Sequence, residues 1–251
     1  MARLLIERDG GVRTITLNRP EKRHAIDSEM MAELLEAFTA EPQADERVTV
    51  LRSTGPVFSA GADLRERSGA VGEPSGIEDV FHAIEIYPLP VVAVVQGTAI
   101  AGGCELALHS DFVVASTNAV FGMSLTQIGL APTFFLAKKI LEVAGRVGAR
   151  EVFFLGDPIP AQRMFDLGCI SRIAAPDDLD DTAQQVIDRI AANAPLSLRA
   201  TKQVLLQGMS YRDGINYDDV NAQVRDVFLS DDAQEGIAAR LEKRAPNFQG
   251  K

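Results

Sequence analysis

Residues 100–108 read Ile100-Ala101-Gly102-Gly103-Cys104-Glu105-Leu106-Ala107-Leu108, and they follow the apolar run Val91 to Val95 and the turn signal Gln96-Gly97. A strand ends, small residues form a loop, and a helix begins near Gly103 with one carboxylate in its first turns. The first N–H groups of a helix lack intrahelical partners and attract developing negative charge. A carboxylate beside such donors suits proton transfer next to an oxyanion. Taken alone, a Gly-Gly pair before a helix serves equally well to let two elements pack closely.

A second loop of small residues lies upstream. Val57-Phe58-Ser59-Ala60-Gly61-Ala62-Asp63-Leu64 follows the strand-like Val48-Thr49-Val50-Leu51. One backbone N–H from each loop, converging on a single carbonyl oxygen, makes a two-donor oxyanion site. Together the two segments resemble the crotonase family (the enoyl-CoA hydratase/isomerase superfamily). There, Phe-x-Ala-Gly-Ala-Asp-Leu and Gly-Gly-x-Glu segments form the two halves of an oxyanion hole for an acyl-CoA thioester. The resemblance implies that the donors are the N–H groups of Ala62 and Gly102 and that Glu105 is the acid/base. Asp63 and Leu64 complete the substrate loop, with Asp63 chiefly bracing it. An Asp in a tight loop commonly bonds its own backbone.

Working outward, Leu4 to Glu7 and Val12 to Leu17 read as strands around Asp9-Gly10-Gly11, the second alternating as a half-buried strand does. Asp27 or Ser28 caps a helix carrying Met30, Met31, Leu34, Leu35 and Phe38, and Pro42 ends it. Ser68 to Gly76 is rich in Gly, Ser and Pro and is expected to be mobile. Ile77 to Ile86 is helical, Val91 to Gln96 and Phe112 to Ala115 are strands, and Phe134–Ala144, Ala149–Leu155 and Ala161–Leu167 are helical. From Leu179 to Arg244 the pattern is almost wholly helical. Alternation followed by helices predicts an α/β core with a helical C-terminal part. The resemblance makes this a crotonase-like spiral of ββα units over residues 1–190 and a helical oligomerisation region over 191–251. It further implies a homotrimer or a dimer of trimers. No internal sequence repeat announces the spiral.

At 251 residues, with 46% hydrophobic and 24% charged residues, the chain has the composition of a globular protein with a sizeable core. A formal net charge of −10 argues against a nucleic-acid partner, which wants a basic face. No apolar run reaches the length of a membrane span, and the first residues carry no signal-peptide pattern. Cys104 and Cys169 make no disulfide or metal framework, and with three His no zinc site is expected. These features predict a soluble, cytoplasmic protein.

The same resemblance assigns the nucleotide end to Asn18-Arg19-Pro20-Glu21-Lys22-Arg23-His24-Ala25. Lys22 and Arg23 meet the CoA phosphates, and Ala25 with Ala60 faces the adenine. His24 stands where the family usually has Asn. The tail Lys243-Arg244-Ala245-Pro246-Asn247-Phe248 resembles one that closes over the CoA site. Coenzyme A is part of the substrate, and no separate cofactor or metal is expected.

One segment departs from the pattern. Hydratases of the family carry a second glutamate in Phe-Gly-x-Pro-Glu, and here the segment is Phe121-Gly122-Met123-Ser124-Leu125. Leu125 cannot transfer a proton, and Thr133-Phe134-Phe135 replaces a frequent Gly-Gly pair, with Phe134 shaping a narrower acyl pocket. His109 shares the face of Glu105 one turn on, whereas Asp111 falls off that face. His82, Tyr87 and His109 are weaker candidates for assisting Glu105. The reading is an enoyl-CoA hydratase-like enzyme with a single glutamate. Isomerisation, decarboxylation, thioester hydrolysis or a catalytically silent acyl-CoA-binding role are its alternatives.

Overall fold

A computed structural model describes residues 2–67, 76–209 and 218–250. The hairpin of β1 (Leu4–Asp9) and β2 (Val12–Leu17) leads into α1 (Ser28–Thr39), where the Asp27 carboxylate accepts the Met30 N–H at 2.9 Å and caps the helix. Three similar units follow. In each, a longer strand is succeeded by a short one and then by helix. They are β3 (Val48–Ser53), β4 (Val57–Ser59), α2 (Leu64–Arg67) and α3 (Ile77–Ile86); then β5 (Val91–Val95), β6 (Thr98–Ile100) and α4 (Gly102–Leu108); then β7 (Phe112–Ser116), β8 (Val120–Gly122) and α5 (Phe134–Arg150). The chain continues through β9 (Ile159–Pro160), α6 (Ala161–Asp166), β10 (Arg172–Ala174), α7 (Leu179–Ala191), α8 (Pro195–Met209), α9 (Asp218–Leu229) and α10 (Asp231–Glu242).

The longer strands build a six-stranded sheet in the order β1-β2-β3-β5-β7-β10, parallel except at the hairpin. The short ones build a second sheet, β4-β6-β8-β9. Each ββα unit thus contributes one strand to each sheet, which is the spiral the resemblance implied. Strands β4, β6 and β8 carry no strand signal in the sequence, because three-residue strands are too short to show a period of two.

Val91 to Val95 is buried throughout, as strands of a parallel sheet covered on both faces are. Val92 and Val94 face α7 through Leu179, Ala183, Ile187 and Ile190. Val91, Ala93 and Val95 join the main core with Phe58, Phe81, Leu106 and Phe121. The helix expected to end at Ala144 runs on to Arg150, interrupted only by Gly145 (φ 62°, ψ −175°). The expected mobility of Ser68 to Gly76 concerns residues that, but for Gly76, lie outside the described ones. Among the described residues, no helix is long and apolar enough to cross a membrane.

Candidate active site

The two loops singled out in the sequence touch backbone to backbone. A Cβ on Gly103 would lie 2.4 Å from the Ser59 carbonyl oxygen, and one on Gly61, whose φ is +82°, would lie 2.7 Å from that of Ile100. No larger residue fits either place, so the glycines are what let the loops meet. A Cβ on Gly102 would lie 3.3 Å from the Ala62 nitrogen, so the two proposed donors are neighbours.

Both donors are free among the described residues. Ala62 pairs with Ile26 in a parallel bridge that uses the Gly61 carbonyl and the Asp63 N–H, at 2.8 and 3.0 Å, and therefore turns the Ala62 N–H the other way. Gly102 opens α4, where its N–H has no turn behind it to bond. Just before it, Ala101 adopts φ 51°, ψ −123°, a conformation costing a non-glycine residue about 1–3 kcal/mol. Strain of this size persists where surrounding structure imposes it. Here the Ala101 N–H is tied to the Gly122 carbonyl at 2.7 Å, and its own carbonyl accepts the Cys104 and Glu105 N–H groups.

Glu105 stands in the first turn of α4 with 0% of its surface exposed. Neither carboxyl oxygen has a hydrogen-bond partner. Burial raises its pKa to about 8, against a lowering field from Lys139 and with raising ones from Glu78 and Glu85. The carboxyl is therefore protonated at neutral pH. A buried polar group left unsatisfied is costly and rare, and such groups gather at functional sites.

His109 lies against it. Its ring is stacked between Phe81 and Phe135, both with centroids at 5.2 Å and with planes at 16° and 8°. Nδ1 is 2.9 Å from the Glu105 backbone oxygen and 3.5 Å from the carboxylate Oε2. Burial, then Lys139, pushes the imidazole down to about 3, so the 3.5 Å approach is not an ion pair.

Strands β6 and β8 run parallel, pairing Ile100 with Gly122, so the segment after β8 runs beside the start of α4. Leu125, half-buried there, packs on the core and on the Ile128–Leu130–Ala233 cluster that joins this turn to α10. Phe134, with His82 and Phe135, lines a cavity of about 1140 Å³ between α3, α5 and α8. Successive helix residues point about 100° apart, and it is Phe135, the next residue, that reaches His109.

The loop of residues 18–25 is sewn to the loop of residues 57–64. The Ala60 N–H donates to the Arg23 carbonyl at 3.0 Å, and Ser59 Oγ donates to the His24 carbonyl at 2.8 Å. His24 accepts the Arg19 N–H at Nδ1 (3.1 Å) and therefore donates from Nε2 to the Thr54 carbonyl (2.7 Å). Lys22 and Arg23 are exposed, while Ala25 and Ala60 are half-buried. Arg19, overlooked in the sequence, is the linchpin. Its guanidinium reaches Asp63 at 2.9 Å, Asp27 at 3.2 Å and the Ala25 carbonyl at 2.9 Å. Burial pushes the Asp63 carboxyl up, but the bonds from Arg19 and the Arg65 N–H outweigh it and hold the group below its usual range. Asp63 and half-buried Leu64 thus fix the loop that carries Ala62.

The remaining candidates lie apart from Glu105. Asp111 accepts the Val91 N–H (2.8 Å) and Lys202 Nζ (2.7 Å), bracing β5 and α8. Tyr87 donates to Glu46 in a separate buried cluster. Arg244 is bound to Glu235 and Glu242 of α10, and the Asn247 N–H also bonds Glu235, so the tail folds back on its own helix.

Comparison with known proteins bears on what this arrangement serves. Residues 7–251 match the sequence profile of the family Enoyl-CoA hydratase/isomerase. The 2,3-dehydroadipyl-CoA hydratase of Escherichia coli is 31% identical, with 100% of both chains covered. The short-chain-enoyl-CoA hydratase of Clostridium acetobutylicum is 29% identical over 96% of this chain and 95% of its own. A solved structure of methylmalonyl-CoA decarboxylase with 2-nitronate-propionyl-CoA superimposes with a TM-score of 0.92 at 27% identity, covering 99% of each chain.

Proposed function

The chain belongs to the enoyl-CoA hydratase/isomerase family, and on that premise we propose that it is an acyl-CoA thioester enzyme whose proton transfers run through one carboxyl, Glu105. The observation that carries this reading is a wholly buried, unpartnered carboxyl in the first turn of the helix that Gly102 opens, with the Ala62 loop packed against that helix start. The thioester oxygen lies between the Ala62 and Gly102 N–H groups, which hold the charge of an enolate. Each such donor contributes about 3 kcal/mol in a transition state.

Hydration is the first reading. Glu105 as carboxylate takes a proton from a water whose oxygen bonds Cβ, and then delivers a proton to Cα. With leucine at 125, both transfers fall to the same group. Decarboxylation of a malonyl-type thioester is a second reading, favoured by the Glu105 pKa of about 8. Loss of CO2 leaves the bonding electrons in the enolate held by the two N–H groups. Protonated Glu105 then needs only to give its proton to Cα, and no base is required.

The two readings differ in the sign of their pH dependence. Hydration requires ionised Glu105, so kcat/KM rises through about pH 8; decarboxylation requires the acid, so kcat/KM falls there. The test follows loss of the conjugated thioester absorbance with crotonyl-CoA and CO2 release with methylmalonyl-CoA. Tight CoA-thioester binding with neither turnover overturns the catalytic reading.

Lys22 and Arg23 are assigned to the CoA phosphates and Ala25 with Ala60 to the adenine, with no cofactor besides the substrate's own CoA. Residues 191–251 are assigned to oligomerisation as a homotrimer or dimer of trimers. In support, α8 exposes Leu196, Val204 and Leu205 to 79, 70 and 61%. Sedimentation of the purified protein checks this assignment. Two buried free cysteines, Cys104 and Cys169, suit a reducing, cytoplasmic setting.

A further inference from the structure

We infer that His109 is a positioning residue for Glu105. Clamped between two phenylalanine rings, it turns its Nδ1–H toward Glu105 and fixes which carboxyl oxygen is left for the reacting atoms. The inference rests on the reading of Glu105 as the proton-transfer group.

Three observations carry it. First, Phe81 and Phe135 cover both faces of the imidazole at 5.2 Å, so the ring is held in its plane. Second, the Glu105 backbone oxygen, 2.9 Å from Nδ1, has no proton to give, so Nδ1 carries the hydrogen and Nε2 is bare. Nε2 is indeed buried without a partner. Third, the same Nδ1 stands 3.5 Å from Oε2, which leaves Oε1 as the oxygen turned away from the clamp.

The role is positioning and not proton relay. His109 is fully buried and stays neutral across the working range of an enzyme, as its pKa of about 3 requires. The charges acting on the pair come from several elements. Glu78 and Glu85 of α3 and Lys139 of α5 act on Glu105, and Lys139, Glu85 and His82 act on His109. Lys139 is itself bound to Glu85 and lies 3.6 Å from Glu142, so its field is partly cancelled. The Nδ1–H stands 3.5 Å from Oε2, and a donor turned toward a carboxyl favours its charged form.

His109→Leu removes the donor and keeps an apolar side chain in the stack. His109→Asn places an amide N–H where Nδ1 stood. The experiment titrates the Glu105 carboxyl by 13C NMR in protein labelled at the glutamate carboxyl carbons, its signal assigned by its loss in Glu105→Gln. The titration needs no substrate. His109→Leu is expected to titrate about half a pH unit or more above wild type, and His109→Asn with wild type. Phe135→Leu, which frees one face of the ring, moves the titration the same way by less. In turnover, His109→Leu lowers kcat about tenfold with KM little changed, and Asn restores most of it. A wild-type titration in His109→Leu, or equal behaviour of Leu and Asn, overturns the inference. Wild-type turnover by Glu105→Gln instead overturns the reading of Glu105, while the titration still decides the His109 contact.

Discussion

Two buried carboxyl groups in this molecule have opposite surroundings. Glu46 sits beneath the β1–β2 hairpin, and one of its oxygens accepts Tyr87 Oη at 2.7 Å and Thr49 Oγ1 at 2.9 Å, with Arg13 Nε at 3.3 Å. Arg13 in turn lies over the Tyr87 ring at 4.5 Å and donates to the Ala37 carbonyl. Glu105 has burial as complete and no hydrogen-bond partner for either oxygen. A buried carboxyl supplied with a cation and donors holds a fold together. One left bare is kept by the fold at a cost, and such groups gather at functional sites.

The contrast can be broken first at Glu46. Glu46→Ala strands a buried guanidinium, and denaturant unfolding should show a loss of about 3–5 kcal/mol. A loss below about 1 kcal/mol would remove the structural half of the comparison. At Glu105 the sign reverses. The folded carboxyl keeps its proton to about pH 8, whereas the unfolded one loses it near the ordinary glutamate value of 4.5. Folding therefore takes up a proton between these values, and wild-type stability falls as pH rises through that window. Glu105→Gln escapes this penalty. It should be the more stable protein above pH 8, by about 5 kcal/mol at most, with the two proteins converging below pH 4.5.

Leu125→Glu sharpens the comparison by supplying the missing second carboxylate. Crotonyl-CoA hydration is expected to rise about tenfold or more, because one group then activates water while the other handles Cα. The smallest effect is at Ala101, whose backbone is strained at φ 51°, ψ −123°. Ala101→Gly relieves that strain and should raise stability by about 1 kcal/mol in thermal unfolding.

The two halves of the comparison were unequally legible in the sequence. Gly61 and Gly103 could be read because backbone loops in contact leave no room for a side chain, and a chain must write that requirement as glycine. The longer strands could be read from their apolar runs, and α1 from Asp27 and its helical spacing. The short strands β4, β6 and β8 could not, although they stack the turns of the spiral. Nor could pairings between distant residues. Arg19 meets Asp63 across 44 positions, and Lys139 meets Glu85 across 54. The Phe81–His109–Phe135 stack joins three elements, and no local pattern at any of them announces it. Phe134 and Phe135 looked equivalent in sequence, and only the start of α5 decides which ring meets His109.

The central claim is that Glu105 alone carries the proton transfers. The most direct test compares Glu105→Gln with wild type on whichever thioester the wild type turns over, measuring rate and CoA-thioester affinity in parallel. The account predicts a rate at least about a hundredfold lower with affinity within about twofold. Turnover by Glu105→Gln near the wild-type rate would contradict it.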